Sequence, residues 1–274
     1  MRFVLQFVVV VAVAAVGGQV ATGVQGNPWV SLVVGLIAAA VAALAYGWIV
    51  RRTEKREVTE LARSKAAGGL ARGTAIGLAM FAAVIVNIWF LGDFHVDGYG
   101  SVSGALGILG FMAAAATTEE LIYRGLLFRW VEKVTGTWLA LLLSGVIFGA
   151  SHLFNPDATL WGATAIALEA GFMLGACYAA TRSLWVTIGL HFGWNFGLGG
   201  IASATVSGNG DSKGLLDTTL SGSDLVTGGA FGPEGSLYTL TAGVVLTVVF
   251  LWLAARRGTI VPMRRKSSPR VAVQ

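Results

Sequence analysis

An all-α polytopic membrane protein of about eight transmembrane helices is the fold this sequence predicts, on three observations. Of its 274 residues, 55% are hydrophobic and only 12% charged, whereas a soluble domain carries roughly 25% charge. The apolar residues gather into segments near the ~20 needed to cross about 30 Å of hydrocarbon. Finally, 38 glycines suit a bundle in which small side chains let membrane helices approach closely. A single cysteine, Cys177, excludes an internal disulfide framework and a cysteine-rich zinc site.

The apolar segments run over 3–22, 28–50, 73–92, 102–123, 137–154, 159–180, 184–202 and 236–255. Charge, Pro and Gly separate them, as loop punctuation should. The first segment opens with Arg2 ahead of a hydrophobic run and small residues, which also suits a signal peptide; the spans that follow favour an uncleaved first helix. The connector 51–72 mixes both charge signs with helix formers and reads as a cytoplasmic amphipathic or solvated helix. The outer loop 203–235, rich in Gly, Ser, Thr and Asp, reads either as flexible or as a cap on the bundle.

The 19 Lys and Arg fix an orientation. With a cytoplasmic amino terminus, Arg2, the connector, Arg124, Arg129, Lys133, Arg182 and the tail from Arg256 onward all fall inside, and only Lys213 falls outside. The positive-inside rule therefore predicts an integral plasma-membrane protein with both termini cytoplasmic. The net charge of +5 is accounted for by topology, with some attraction to anionic lipid, and a nucleic-acid partner is excluded.

Ionisable side chains deep in a bilayer are costly unless paired or watered, so each is a candidate for function. Glu119 and Glu120 end the fourth span, His152 the fifth, Glu169 lies in the sixth and His191 in the seventh. His95 falls in the short loop "GDFHVDGYG" and reads as solvated. Adjacent glutamates point about 100° apart on a helix, so they cannot share one task. Glu120 is one turn from Arg124, which would neutralise it and leave Glu119 available. Phe148 shares a face with His152, and His191 with Asn195. A carboxylate, two imidazoles and an amide on three helices make a credible hydrolytic set. The carboxylate moves a proton from water to a leaving amine, the imidazoles orient that water or hold a metal that acidifies it, and Asn195 donates to an oxyanion. Each residue also has a plainer reading: a boundary ion pair for Glu120 and Arg124, interhelical hydrogen bonds for the histidines, a structural hydrogen bond or a pore position for Glu169, and packing for Phe148. Trp161, Trp185 and Trp194 suit interfacial belts or bundle packing.

The blocks "EELIYRG", "FGASHLFNP" and "TRSLWVTIGLHFGWN" resemble the CPBP family of intramembrane proteases. It is also called the CAAX-protease and bacteriocin-processing family, or the Abi family, and includes the Rce-type prenyl-protein proteases. The match covers about 115–196 and rests on the EExxxR motif at Glu119, Glu120 and Arg124, FxxxH at Phe148 and His152, and HxxxN at His191 and Asn195. The resemblance implies a CAAX-protease-like helical bundle with Glu119 as general base, His152 and His191 positioning water or a metal, Asn195 at the oxyanion, and Glu120 and Arg124 in support. Two His and one Glu could hold a catalytic zinc with an open position, but no HExxH spacing is present, so glutamate-activated water without an obligate metal is favoured.

The expected division is 1–101 for the amino-terminal spans and connector, 102–202 for the catalytic core, and 203–274 for the outer loop, last span and basic tail. The expected partners are the lipid bilayer and a peptide or protein substrate. Two rivals stand beside the endopeptidase: a non-catalytic immunity or scaffold protein of the same fold, and a proton-coupled transporter. The absence of a two-half internal repeat weighs against the transporter. One tension remains. At ~1.5 Å per residue, Glu119 and His152 come out roughly 20 Å from the cytoplasmic boundary, and His191 nearer 10 Å.

Overall fold

The computed structural model describes residues 2–210 and 212–263. The distal part of the predicted basic tail, 264–274, lies outside the described residues. The helices are α1 (Arg2–Gly23), α2 (Pro28–Glu54), α3 (Ala66–Phe90), α4 (Val102–Glu120), α5 (Arg129–Thr135), α6 (Thr137–Ser151), α7 (Leu160–Ile166), α8 (Phe172–Thr181), α9 (Leu184–Asn195), α10 (Asp224–Thr227) and α11 (Leu237–Arg256). Three π-helical stretches interrupt or extend them: Leu121–Phe128 joins α4 to α5, Ala167–Gly171 joins α7 to α8, and Phe196–Ile201 prolongs α9.

Helix starts follow local chemistry. Asn27 caps α2 by accepting from the Trp29 and Val30 amides ahead of Pro28, and Ser101, Thr159 and Ser236 cap α4, α7 and α11. Each such side chain satisfies an amide that the first turn leaves without a partner.

Among the described residues, seven helical stretches are long and apolar enough to cross a membrane: 2–23, 28–54, 63–90, 102–135, 137–154, 160–181 and 237–256. The protein is therefore an integral membrane helical bundle. The eighth predicted span, 184–202, is helical, but His191, Asn195 and its glycines dilute its hydropathy. The dilution has a physical reason. From Leu184 to Gly200 almost every residue of α9 and its extension is buried, so this helix meets protein rather than lipid and needs no apolar coat.

Two boundaries differ from expectation. The fourth span does not end at residue 123 but runs to Thr135, so Arg124 is a fully buried interior residue and not a loop cation. The connector is not a helix of its own. Helix α2 runs on to Glu54, 3-10 turns follow at Thr59–Leu61 and Arg63–Lys65, and α3 begins at Ala66. The turns are held by ions: Arg56 reaches Glu54 and Glu60 at 2.6 Å each, and Arg129 reaches Glu54 at 2.7 Å. Tyr46 donates to Glu60 at 2.8 Å and to the Gly125 carbonyl at 2.9 Å, fastening α2 to the π-helical stretch after the glutamates.

The two ends of the bundle differ. At one end, the loops after α3 and α9 pair as a small antiparallel ribbon, β1 (Phe94–Tyr99) with β2 (Leu216–Leu220). The described part of the loop 203–235 thus caps this end of the bundle. His95 lies on β1, exposed as expected. The opposite end gathers Glu54, Arg56 and Arg129, with Arg182 on Glu132 and Arg257 on the Ala180 carbonyl.

At the centre, α3 lies against α9 with almost no side chains between them. Gly73 and Gly77 face Gly189 and Gly193, four residues apart on each helix, and a Cβ at any of them would press into main-chain atoms across the interface. This is small-residue packing of the GxxxG type, and it fixes where α9 can sit.

Candidate active site

Helix α9 carries His191 and Asn195 past the last turn of α4, which carries Glu119 and Glu120. His191 Nδ1 lies 3.0 Å from Glu120 Oε1, and its Nε2 lies 3.8 Å from Glu119 Oε2. The depth offset expected from chain length does not arise. Helix α9 starts with Leu184 already buried, beneath Arg182, which bonds Glu132 and the Thr259 carbonyl, so His191 reaches the level of the glutamates.

The glutamates divide as their spacing predicts. Glu120 is fully buried and accepts from Arg124 Nη1 at 2.7 Å. The same Oε1 also faces His191, a second partner that sequence spacing did not reveal. Since a carboxylate can only accept here, His191 Nδ1 carries a proton, and Nε2 faces Glu119. Arg124 is itself held, donating from Nη2 to the Ala170 and Gly171 carbonyls at 3.2 and 3.1 Å. Its guanidinium lies 4.5 Å from the centroid of the Phe148 ring. Phe148 also packs against Tyr123, His152 and His191, so it both shapes the site and faces a cation.

Glu119 is the exposed member of the pair, about one third accessible. Its Oε2 is nevertheless buried, with no hydrogen-bond partner. It borders a cavity of about 970 Å³, shared with Tyr123, His152, Asn155, Asn195 and Ser207. Helix α6 delivers His152 as it tightens into a 3-10 turn. His152 Nδ1 lies 2.8 Å from the Phe148 carbonyl. A carbonyl only accepts, so Nδ1 holds the proton and Nε2 is free. A second, much smaller space of about 10 Å³, lined by His152, His191, Asn195, Ser207 and Glu234, adjoins the same side chains and is near the size of one water.

Glu234 and Ser207 are contributions that the sequence reading missed. Glu234, in a 3-10 turn just before α11, is buried. It accepts from Trp194 Nε1 at 3.2 Å, from Ser207 Oγ at 2.9 Å and from the Ser207 amide. Burial pushes its carboxyl above the ordinary range, opposed by the hydrogen bonds from Ser207 and Trp194. The outer loop is pinned to the His152 turn by Asn155, whose Nδ2 donates to the Ser207 carbonyl at 2.7 Å. Among the tryptophans, Trp161 donates to the Gly235 carbonyl and Trp185 to the Ala62 carbonyl. Glu169 departs from the expectation of an interhelical hydrogen bond: it is fully buried in the second π-helical stretch with neither oxygen partnered. Gly243 of α11 packs against its backbone.

Zinc is the metal that two imidazoles and a carboxylate would suit. Both imidazoles offer a free Nε2, with their other nitrogen held by a carboxylate or carbonyl, as metal-bound histidines do. Among the described residues, however, no three His, Cys, Asp or Glu side chains come together as the ligands of one ion. The donor set as arranged does not close around a metal.

The arrangement has a bearing on chemistry: an unpartnered carboxylate oxygen, an imidazole nitrogen 3.8 Å away and an amide at the edge of the same cavity can take a proton and steady an anion. Residues 101–197 match the family model for type II CAAX prenyl endopeptidase Rce1-like proteins. No curated protein and no solved structure matches the chain. The matched segment spans α4 through α9 and contains the glutamate, histidine and asparagine motifs together, so this part of the chain is similar to Rce1-like CAAX proteases.

Proposed function

We propose that the chain is an intramembrane endopeptidase that hydrolyses a peptide bond of a membrane-associated peptide or protein, with water activated by Glu119. The observation that carries this reading is the 3.8 Å separation of Glu119 Oε2 and His191 Nε2 at the wall of the large cavity. A polar gap of that width suits a bridging water. Glu119 takes one proton from that water as its oxygen bonds to the substrate carbonyl carbon. Asn195 donates to the oxyanion, and His152 presents Nε2 from the opposite wall. Glu119 then delivers the proton to the leaving nitrogen as the carbon–nitrogen bond breaks. Glu120 holds the His191 tautomer, and Arg124 balances its charge. Ser207 and Glu234 close the far side, so the site draws on 203–274 as well as on the core 102–202.

The positive-inside rule favours a cytoplasmic position for the cationic end of the bundle, with the ribbon on the outer side of the membrane.

The test is a survey of new peptide termini in membranes bearing the wild type or Glu119→Gln. Termini that appear with the wild type and vanish with the variant support the reading; identical sets overturn it. A second measurement addresses the metal: the cleavage should survive exhaustive chelation. Loss on chelation, with recovery on adding zinc, would make His152 and His191 ligands instead.

A further inference from the structure

A second concavity lies at the cationic end, apart from the site. The last turns of α2, the connector and the start of α3 enclose a groove of about 880 Å³, with Trp185 on its wall. It shares no lining residue with the cavity that Glu119 borders. Along α2 it runs from Ala40 to Lys55, about 22 Å at 1.5 Å per residue. That exceeds one leaflet's share of a hydrocarbon core about 30 Å thick.

Its two ends differ in chemistry. The deep part is apolar, with Leu44 and Trp48 more than half exposed along it. Four cations line the mouth, Arg51, Arg52, Lys55 and Arg63, and among the described residues no carboxylate lines the groove. The neighbouring cations are committed: Arg56 and Arg129 are bound to Glu54 and Glu60. The four at the mouth have no carboxylate partner among the described residues, and all are exposed. An uncompensated positive cluster above an apolar trough, flanked by Trp48 and Trp185 as residues of the membrane–water boundary, matches a ligand with a negative head and a hydrocarbon tail.

We propose that this groove binds one anionic glycerophospholipid, with an acyl chain along α2 and its phosphate at Arg51, Arg52, Lys55 and Arg63. A zwitterionic lipid carries a cationic head group into the same cluster and is disfavoured. The proposal rests on the membrane placement of the bundle and is independent of the proposed proteolysis.

Native mass spectrometry of the full-length protein, released from vesicles of equal phosphatidylglycerol and phosphatidylcholine, tests it. One retained phosphatidylglycerol per chain is expected, in at least tenfold preference to phosphatidylcholine and unaffected by millimolar inorganic phosphate. The triple variant Arg51→Gln, Arg52→Gln, Lys55→Gln should lower that retention about tenfold, whereas Lys133→Gln with Arg256→Gln should not. Gly47→Leu keeps every cation and projects into open space, filling the trough; it too should lower retention, with its melting temperature confirming that the chain is folded. Equal retention of the two lipids overturns the proposal. So does displacement by phosphate alone, equal loss in the control pair, or full retention by the filled groove.

Discussion

Helices α1 and α9 invert the usual relation between apolarity and burial. Helix α1 is a near-continuous hydrophobic run, yet only Gln6, Val10 and Ala21 are buried along it. Helix α9 holds a histidine, an asparagine and two glycines of the central interface, yet almost all of it is inside. In a bilayer the solvent is hydrocarbon, so the greasiest face is the outer one, and polar residues retreat inward to find partners. The segments that announce a membrane protein most loudly are thus the least engaged with its chemistry, and a dip in hydropathy marks the place to look.

Substitutions test that contrast. The largest effect is expected at Glu119: replacement by Gln removes the proton acceptor and should lower cleavage by about 10²–10⁴-fold while leaving the melting temperature nearly unchanged. Next is Gly193→Leu, which touches no proton in the proposed mechanism. Its side chain would press into Thr74 on α3 and shift His191 relative to Glu119. A displacement near 1 Å costs about 10²-fold, read as a fall in turnover in protein that still extracts as a folded monodisperse species.

A smaller effect belongs to the connector. Burial alone would raise the carboxyl of Glu60, but the hydrogen bonds and charge of Arg56 outweigh it and hold that carboxyl below the usual range. Its contribution to stability is therefore present above the unfolded value, about 4.3, and is lost as pH falls through the lowered folded value. Glu60→Gln should destabilise by about 1–2 kcal/mol at neutral pH, since the pair is only partly screened. The gap in melting temperature from wild type should narrow as the medium is acidified toward pH 4; a gap that widened would contradict the assignment. The least effect is expected on α1, where Val16→Leu at a residue 66% exposed should change neither cleavage nor melting temperature measurably.

The contrast also explains what could be read from the chain. Glu119, Glu120, Arg124, His152, His191 and Asn195 stood out because each is an expensive residue in a cheap background, and their spacing within each motif is local. The pairing of Glu120 with Arg124 was legible for that reason; its second contact, to His191, joins separate helices and was not. Arg124 was misassigned to a loop because a positive charge after an apolar run ordinarily marks a boundary, and nothing local shows that the Ala170 and Gly171 carbonyls wait for it inside. Ser207 and Glu234 were hidden more thoroughly. They lie in a stretch of Gly, Ser and Asp with no period of 2 or 3.6 to read, and only the fold of the outer loop brings them beside His152. The π-helical stretches left no trace, since their sequences are as apolar as the helices they interrupt.

The ribbon carries a consequence for biogenesis. Tyr99 and Leu216 are paired, yet every helix that supplies the central glutamates, imidazoles and amide is threaded between them. The two strands cannot meet until the last of those helices has crossed. Closure of the ribbon is therefore a late event in assembly, and a chain arrested before it would hold its carboxylates in the bilayer without the outer cap that Ser207 and Glu234 complete.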